Sequence, residues 1–197
     1  MAKRQTRRVH SFKQELLAKS REAALSAVQI FNNPLIQFKS ESFIVLMNIA
    51  WTYMLHAYYR SKKIEYRYYH QGKERRQFDR TKRGAYKYWE LGRCINDPAS
   101  PLDKMTAKNL HFLIGLRNEI EHQMTLALDN YLSSRYQACC LNYNKYIKEL
   151  FGDAYGIDKH LTYSLQFIEL SHEQAAGITV KDTVPNRLRT SPNSTVV

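Results

Sequence analysis

The sequence has few cysteines, and their number and spacing argue against the sites that cysteines build. The chain contains only Cys94, Cys139 and Cys140, which form no CxxC pair and are too few for a disulfide framework. A zinc site is therefore not expected, and a reducing cytoplasm is the predicted setting. Cys139 and Cys140 lie within a helical pattern, where we expect them to be small core residues.

The sequence also lacks an apolar leader and an apolar membrane span. Residues 1–10 are basic, but the following KQELLAK is not the apolar core of a signal peptide, so these ten residues are predicted to be a basic arm. Residues 43–59 approach the length of a span, yet a polar line that is costly in lipid runs along them, and we predict a buried helix of a soluble protein. The line is interpreted as the wet side of that helix, as a set of internal hydrogen bonds, or as support for a site on the third helix. Its members are Glu41, Asn48, Thr52 and His56.

Familiar catalytic and cofactor-binding motifs are missing. The sequence shows no glycine-rich phosphate loop, no HExxH metal site and no Ser/His/Asp arrangement, although a triad dispersed along the chain stays open. We therefore expect neither a metal nor an organic cofactor.

Positive charge is what the sequence has in excess, and the excess is local. The chain has 30 Lys and Arg against 18 Asp and Glu, a formal net charge of +12 and a pI near 9.6. Residues 60–93 alone hold 12 basic and 4 acidic residues, a net charge of +8, interleaved with aromatic residues. This mixture suits phosphate contacts and base stacking, so RNA is the predicted partner; the alternative is a solvated hairpin whose charge only keeps the protein soluble. The predicted RNA contacts are Lys62, Lys63, Arg75, Arg76, Lys82 and Arg83.

Hydrophobic periodicity predicts an all-α fold, an antiparallel up-and-down four-helix bundle with a basic insert between the second and third helices. In the insert, IEYRYYH followed by the turn signal QGKE predicts a small hairpin or ordered loop, and AYKYWELGRCI fits a short helix over residues 85–95. The predicted helices cover residues 11–33, about 40–59, 103 or 104 to about 123, and about 127–150, and residues 161–171 fit a short strand or helix. The predicted boundaries are the arm 1–10, a helical domain 11–176 with its insert 60–93, and a flexible tail 177–197.

The stretch LIGLRNEIEH, residues 113–122, carries the candidate chemistry. On a helical wheel Arg117 lies among apolar residues of the third helix, and a buried arginine needs a partner. One interpretation is an ordinary pair with Glu121, one turn further on. The other is a cleft in which Arg117 binds a phosphate and His122 titrates near neutral pH, with Asn118 orienting the His122 ring or donating to the phosphate. His122 would then take the proton of a 2′-hydroxyl that attacks the adjacent phosphorus, while Arg117 stabilises the phosphoryl charge.

The string RNEIEH at the end of the third helix resembles the signature of the HEPN superfamily (higher eukaryotes and prokaryotes nucleotide-binding domains). The next helix, LALDNYLSSRYQACCLNYNKYIKELFG, and the earlier helix pair resemble a bacterial HEPN-type family of unknown function, so the likeness covers about residues 20–152. The resemblance implies a homodimeric, metal-independent endoribonuclease that leaves 2′,3′-cyclic phosphate and 5′-hydroxyl ends. It also implies that Arg117 and His122 of both protomers meet at the dimer interface as the catalytic pair, with Asn118 as their polar companion.

Three functions are therefore predicted from the sequence. The first is a cytoplasmic HEPN-type ribonuclease of a toxin–antitoxin or phage-defence system, with RNA, a second copy of the chain and an antitoxin or defence-complex protein as partners. The second is a non-catalytic RNA- or nucleotide-binding helical module in a larger defence complex. The third is a structural interaction module, whose partner binding would be insensitive to salt because it does not use phosphate contacts.

Overall fold

The computed structural model of the chain describes residues 11–72, 75–120 and 129–161, which are mostly helical and contain one small two-stranded sheet. The predominantly helical class predicted from the sequence is therefore confirmed. The elements in chain order are α1 (Phe12–Asn32), α2 (Lys39–Ser61), β1 (Tyr69–Gln71), β2 (Arg76–Phe78), α3 (Leu91–Asn96), α4 (Lys104–Ile120), α5 (Asp129–Phe151) and α6 (Asp158–Leu161), with a 3₁₀ turn at Asp153–Tyr155.

The first two helices form an antiparallel pair. α1 begins at a capping box built on Ser11, which satisfies backbone N–H groups that have no partner within the helix. At one end of the pair the Phe31 and Phe43 rings lie 5.5 Å apart, and at the other end Leu17 shares a buried cluster with Ala57. Because these contacts run in opposite directions along the two helices, the linker between them reverses the chain.

The fifth helix covers the inner face of this pair. The Ser20 hydroxyl on α1 donates to the Ala50 carbonyl oxygen on α2 at 2.7 Å. Since that bond uses its only hydrogen, the Tyr143 hydroxyl on α5 is the donor to Ser20, also at 2.7 Å. Trp51 packs edge-on against Tyr143, with ring centroids 5.7 Å apart, and its indole N–H donates to the Cys139 sulfur. All of these residues are buried, so three helices share one core.

The fourth helix packs on α5 in the opposite direction. At its start, the Tyr146 hydroxyl donates to the Asp103 carboxylate at 2.8 Å. Further along, the Asn109 side-chain amide donates to the Arg135 carbonyl oxygen at 3.4 Å. The two helices are therefore antiparallel. α2 contacts α1, α4 and α5, which makes it the central helix.

The basic insert contains the predicted hairpin. β1 and β2 pair antiparallel, with Tyr69 opposite Phe78. Residues 73–74, where the sequence predicts the turn, lie outside the described residues. The adjacent pair is closed by a hydrogen bond from the Gly72 amide to the Arg75 carbonyl oxygen at 3.1 Å.

The short helix predicted over residues 85–95 is wrong for its first half. The helix there is α3, and the residues before it are extended and join the hairpin through isolated bridges of Tyr86 to Arg80 and of Tyr88 to Arg67. The alternation of tyrosine with other residues at this point is a strand pattern, and its pairing with the neighbouring hairpin outweighs the helical preference of the segment.

The apolar faces predicted from periodicity coincide with buried residues. On α1 the five predicted core residues are all buried, and Cys140 on α5 is buried as well. Leu150 is only half-buried, and the Tyr131 side chain lies outside the described part of the chain. The other predicted α5 core residues are all buried and are Tyr136, Cys139, Tyr143, Tyr146 and Ile147.

Several predictions fall on residues that the structure does not describe. These are the basic arm 1–10, the element predicted over residues 161–171 beyond the end of α6, and the tail 177–197. Among the helices that are described, none combines the length and apolarity needed to cross a bilayer.

Candidate functional site

Arg117 lies on the inward side of α4. Leu110, Leu113 and Leu116, which precede it on the helix, are buried. Arg117 itself is half-buried, and its Nε atom is screened from solvent. The charge is therefore at the edge of the core, near the C-terminal end of α4, as the helical wheel predicted.

The other predicted catalytic residues do not all fall in the described part of the chain. Asn118 is exposed, as is His111 two turns earlier on the same outer face of α4. His122, and the Glu121 that the alternative pairing invokes, lie outside the described residues. The geometry between Arg117 and His122 therefore stays a prediction.

A small cavity lies beside α4, about one turn before Arg117. Its volume is about 10 Å³, and its lining includes Asn48 and Trp51 of α2 and Leu113 of α4. A space of this size holds a single water at most, so it is not a nucleotide site. The prediction that the polar line of α2 approaches the third predicted helix, which is α4 in the structure, therefore holds for Asn48.

His56, further along the same polar line, anchors the insert to α2. Its Nε2–H donates to the Trp89 carbonyl oxygen at 2.7 Å, and its ring lies 4.7 Å from the Tyr66 ring and 5.8 Å from the Tyr88 ring. Burial lowers the pKa of His56, since the charged imidazolium would lose its hydration. The interpretation of the line as the wet side of the helix is wrong for His56, and that of an internal hydrogen bond holds.

Backbone hydrogen bonds hold the insert together at one junction. The Tyr68 amide donates to the Lys87 carbonyl, the Lys87 amide to the Asp79 carbonyl, and the Asp79 amide to the Tyr68 carbonyl, at 2.9–3.0 Å. The Tyr68 hydroxyl donates to the Glu90 carboxylate. Burial and this hydrogen bond raise the pKa of Tyr68 to about 12. The described residues of the insert are thus joined by backbone and side-chain hydrogen bonds.

All six predicted RNA contacts are exposed, and they fall into three pairs. One pair ends α2, one lies at the start of β2, and one occupies the centre of a tight turn closed by Gly84, whose φ of +85° suits glycine. None of the six forms an ion pair with a residue that the structure describes. The pairs are Lys62 and Lys63, Arg75 and Arg76, and Lys82 and Arg83.

Lys63 has a backbone conformation that is unusual for lysine. Its φ is +57°, whereas the φ of Lys62 is −89°. The Lys63 amide donates to the Arg60 carbonyl and the Ile64 amide to the Tyr59 carbonyl, a Schellman arrangement in which the left-handed residue is usually glycine. A side chain in this conformation costs about 1–2 kcal/mol that glycine would not incur.

Arginine and aromatic side chains form a contiguous row across the insert that the sequence did not predict. The Arg67 guanidinium lies over two rings, 3.9 Å from the Phe78 centroid and 4.8 Å from the Tyr86 centroid, and these rings pack edge-to-face with centroids 5.8 Å apart. Glu65 accepts two hydrogen bonds from it, at 2.8 and 2.6 Å. These bonds lower the pKa of Glu65. Arg67 is therefore neutralised within the insert, and its role is structural.

The row continues in both directions from Arg67. The Arg80 guanidinium lies 4.1 Å from the Tyr86 centroid and donates to a backbone carbonyl and to the Tyr86 hydroxyl. On the other side, Tyr69 packs against Phe78 with centroids 5.9 Å apart, and the Arg76 guanidinium lies 4.6 Å from the Tyr69 centroid. We call these residues the arginine–aromatic row, which in spatial order is Arg76, Tyr69, Phe78, Arg67, Tyr86 and Arg80.

The thiols of the chain do not supply a nucleophile. All three cysteines are buried, and loss of hydration raises the pKa of Cys94 and of Cys139 to about 12 and that of Cys140 well above its usual range. In the described ranges, no group of three or more His, Cys, Asp or Glu side chains is arranged to hold a metal ion.

Comparison with known proteins yields one match. A family model described as "Domain of unknown function (DUF3644)" matches residues 15–195, a range that includes both the Arg117 region and the whole insert. No curated protein and no solved structure matches the chain. The description of the family names no reaction, ligand or partner.

Proposed function

The chain belongs to the DUF3644 family, a domain of unknown function, and from its own residues we propose that it is a metal-independent endoribonuclease of HEPN type. The observation that carries the proposal is the placement of an arginine on the core side of α4, four residues before Glu121 and five before His122 in the sequence. An arginine at the core edge of a basic protein is well suited to binding a phosphate bidentately.

In the proposed reaction His122 acts as a general base and Arg117 supplies positive charge to the reacting phosphate. His122 removes the proton of an RNA 2′-hydroxyl, and the oxygen attacks the adjacent phosphorus. The bond to the 5′-oxygen of the next nucleotide breaks, that oxygen takes up a proton from water, and the protonated His122 returns its proton to solvent. Arg117 stabilises the charge on the phosphoryl oxygens, and Asn118 orients the imidazole or donates to the phosphate. The products are a 2′,3′-cyclic phosphate and a 5′-hydroxyl.

The proposal includes an architecture and a setting. We propose that α1, α2, α4 and α5 form an antiparallel up-and-down four-helix bundle, which the antiparallel α1–α2 and α4–α5 pairs and the central place of α2 support. Two copies would join so that their Arg117 and His122 side chains face one RNA phosphate. The proposed setting is a cytoplasmic toxin–antitoxin or phage-defence system.

The test is a cleavage assay with end-labelled tRNA and single-stranded RNA, in EDTA throughout. We expect cleavage with cyclic-phosphate ends, reduced at least about 100-fold in Arg117→Ala and in His122→Ala, because each change removes a group that acts in the transition state. Two matched variants keep the residue types but change other sites. Arg135→Ala removes an arginine that stacks on Phe112, and His111→Ala removes a surface histidine; both should cleave like the wild type.

Because Arg117 is half-buried, its loss can also unfold the protein. Melting temperatures are therefore compared, and Arg117→Lys provides a variant that keeps the charge but not the bidentate geometry. The proposal is abandoned if the two alanine variants cleave like the wild type, or if the wild type cleaves only in a parallel reaction that contains Mg²⁺ and no EDTA. Equal loss of activity in His111→Ala would assign the proton transfer to another histidine.

A second function is favoured by a different observation, the six exposed cations of the insert. A non-catalytic RNA-binding module needs only these charges and not His122. If all six residues contact phosphates of a single strand, the logarithm of the binding constant should fall against the logarithm of the salt concentration with a slope of about −4. Salt-sensitive binding by a protein that is inert in the cleavage assay would select this function. Binding that is insensitive to salt would instead favour a structural interaction module.

A further inference from the structure

Arg76 differs from the other two arginines of the arginine–aromatic row. Arg67 donates two hydrogen bonds to the Glu65 carboxylate, and Arg80 donates one to a carbonyl oxygen and one to the Tyr86 hydroxyl. Arg76 is exposed, and it makes no hydrogen bond or ion pair with any residue in the described part of the chain. The guanidinium carbon of Arg76 lies over the Tyr69 ring, 4.6 Å from its centroid, and the residue is exposed to solvent.

We propose that Arg76 and Tyr69 form a stacking site for an unpaired base of RNA. This inference rests on the proposed action on RNA and names the form of RNA that the insert accepts. A guanidinium plane stacks on a nucleobase as it does on a tyrosine ring. A base placed on the open face of Arg76 therefore extends the row by one member, and the free N–H groups remain available to a phosphate or to a base acceptor.

The row behind Arg76 makes this site rigid before RNA arrives. Tyr69 packs on Phe78, which packs on Arg67, and the two hydrogen bonds that Arg67 donates to Glu65 fix the guanidinium in place. A flexible arginine would lose side-chain freedom on binding, whereas one already stacked on a supported ring loses less. Tyr69 is also 40% exposed, so its own edge is accessible beside the Arg76 plane.

The open plane selects unpaired RNA. In a duplex both faces of a base pair are covered by neighbouring pairs, and only an unstacked base has a face to offer. The net charge of +8 on residues 60–93 attracts phosphates of any strand and so supplies affinity without this selection. An acidic protein segment would satisfy the charge but would leave the plane unused, and we therefore assign the site to single-stranded RNA.

The test separates the plane from the charge. Binding is measured by fluorescence anisotropy with four probes: a labelled 2′-O-methyl RNA of about 12 nucleotides, which has no free 2′-hydroxyl to attack, its duplex, the same strand with abasic positions, and heparin. Arg76→Lys keeps the charge and removes the plane. We expect it to bind the single strand about 5- to 150-fold more weakly than the wild type, the range seen when one stacking partner is lost. Its binding to the abasic strand and to heparin should not change.

Arg135→Lys is the matched control, because it changes an exposed arginine that lies over a ring, that of Phe112, outside the insert. It should bind all four probes like the wild type. The inference is refuted if Arg76→Lys binds the single strand like the wild type with an unchanged melting temperature, if it loses affinity for heparin equally, or if the wild type binds the duplex as tightly as the single strand. If the stacking inference is refuted but the protein still cleaves RNA, the ribonuclease proposal stands. If the protein stacks an unpaired base but does not cleave RNA, the stacking inference stands and the ribonuclease proposal fails.

Discussion

Replacing Lys63 with glycine should make the protein more stable and bind RNA more weakly. The φ of +57° at Lys63 costs a residue with a side chain about 1–2 kcal/mol, and glycine avoids that cost. Glycine also has more conformational freedom in the unfolded chain, which lowers the free energy of unfolding by about 0.5–1 kcal/mol. The net expectation is a gain of about 0–1.5 kcal/mol in the free energy of unfolding. The lost charge should reduce the salt slope of RNA binding by about 0.7.

Lys62→Gly is the control, since it changes the same residue type one position earlier, where φ is −89°. It carries the same entropic penalty and the same loss of charge but relieves no left-handed conformation. Urea denaturation should therefore place the two variants about 1–2 kcal/mol apart, with Lys63→Gly the more stable. RNA affinity, measured by anisotropy from about 50 to 200 mM salt, should fall for both variants. Equal stability of the two variants would contradict the conformational argument, and unchanged RNA affinity in Lys63→Gly would remove Lys63 from the RNA contacts.

Three further predictions concern the body of the protein. Leu17→Ala, at a wholly buried position, should lower the free energy of unfolding in urea by about 2–5 kcal/mol, whereas Leu35→Ala, at a position that is 89% exposed, should leave it nearly unchanged. Because the pKa of His56 is lowered by folding, the unfolded chain binds a proton at this residue more readily than the folded protein does. The free energy of unfolding should therefore fall as the pH drops below about 6.5, by at most about 1.4 kcal/mol per pH unit. A His56→Gln variant that keeps the full acid sensitivity would contradict this. A thiol reagent at neutral pH should label the folded protein only as fast as it opens and the unfolded protein at once, and rapid labelling in the native state would show that burial does not protect Cys94, Cys139 and Cys140.

Sequence periodicity predicted the long helices because their apolar residues recur with the helical repeat on faces that the structure buries. It predicted the inward position of Arg117 for the same reason, because a helical wheel depends only on the residues of one helix. The segment that contains Tyr86 was assigned to a helix, because the partner that makes it extended lies elsewhere in the chain and cannot be seen from local sequence.

The arginine–aromatic row was missed for a related reason. Arg67 and Tyr69 show the two-residue spacing of a strand, but the members of the row come from three extended segments and meet only after the register is fixed. Composition indicated that the insert is basic and aromatic, yet it gave no means of separating Arg67, which is held internally, from Arg76, which is open. The left-handed φ of Lys63 could not be predicted from the sequence either, because glycine is the residue that normally indicates this conformation at the end of a helix.

The contact of Ser20 with both Ala50 and Tyr143 has a consequence for the growing polypeptide. The contact within the α1–α2 pair spans 30 residues, whereas the one to α5 spans 123. During synthesis the first two helices can therefore pair long before the helix that covers them has left the ribosome. Until it does, the inner face that carries Trp51 is open to water, to chaperones and to other nascent chains. A pause in translation between α2 and α5 would lengthen that exposure without changing a single residue.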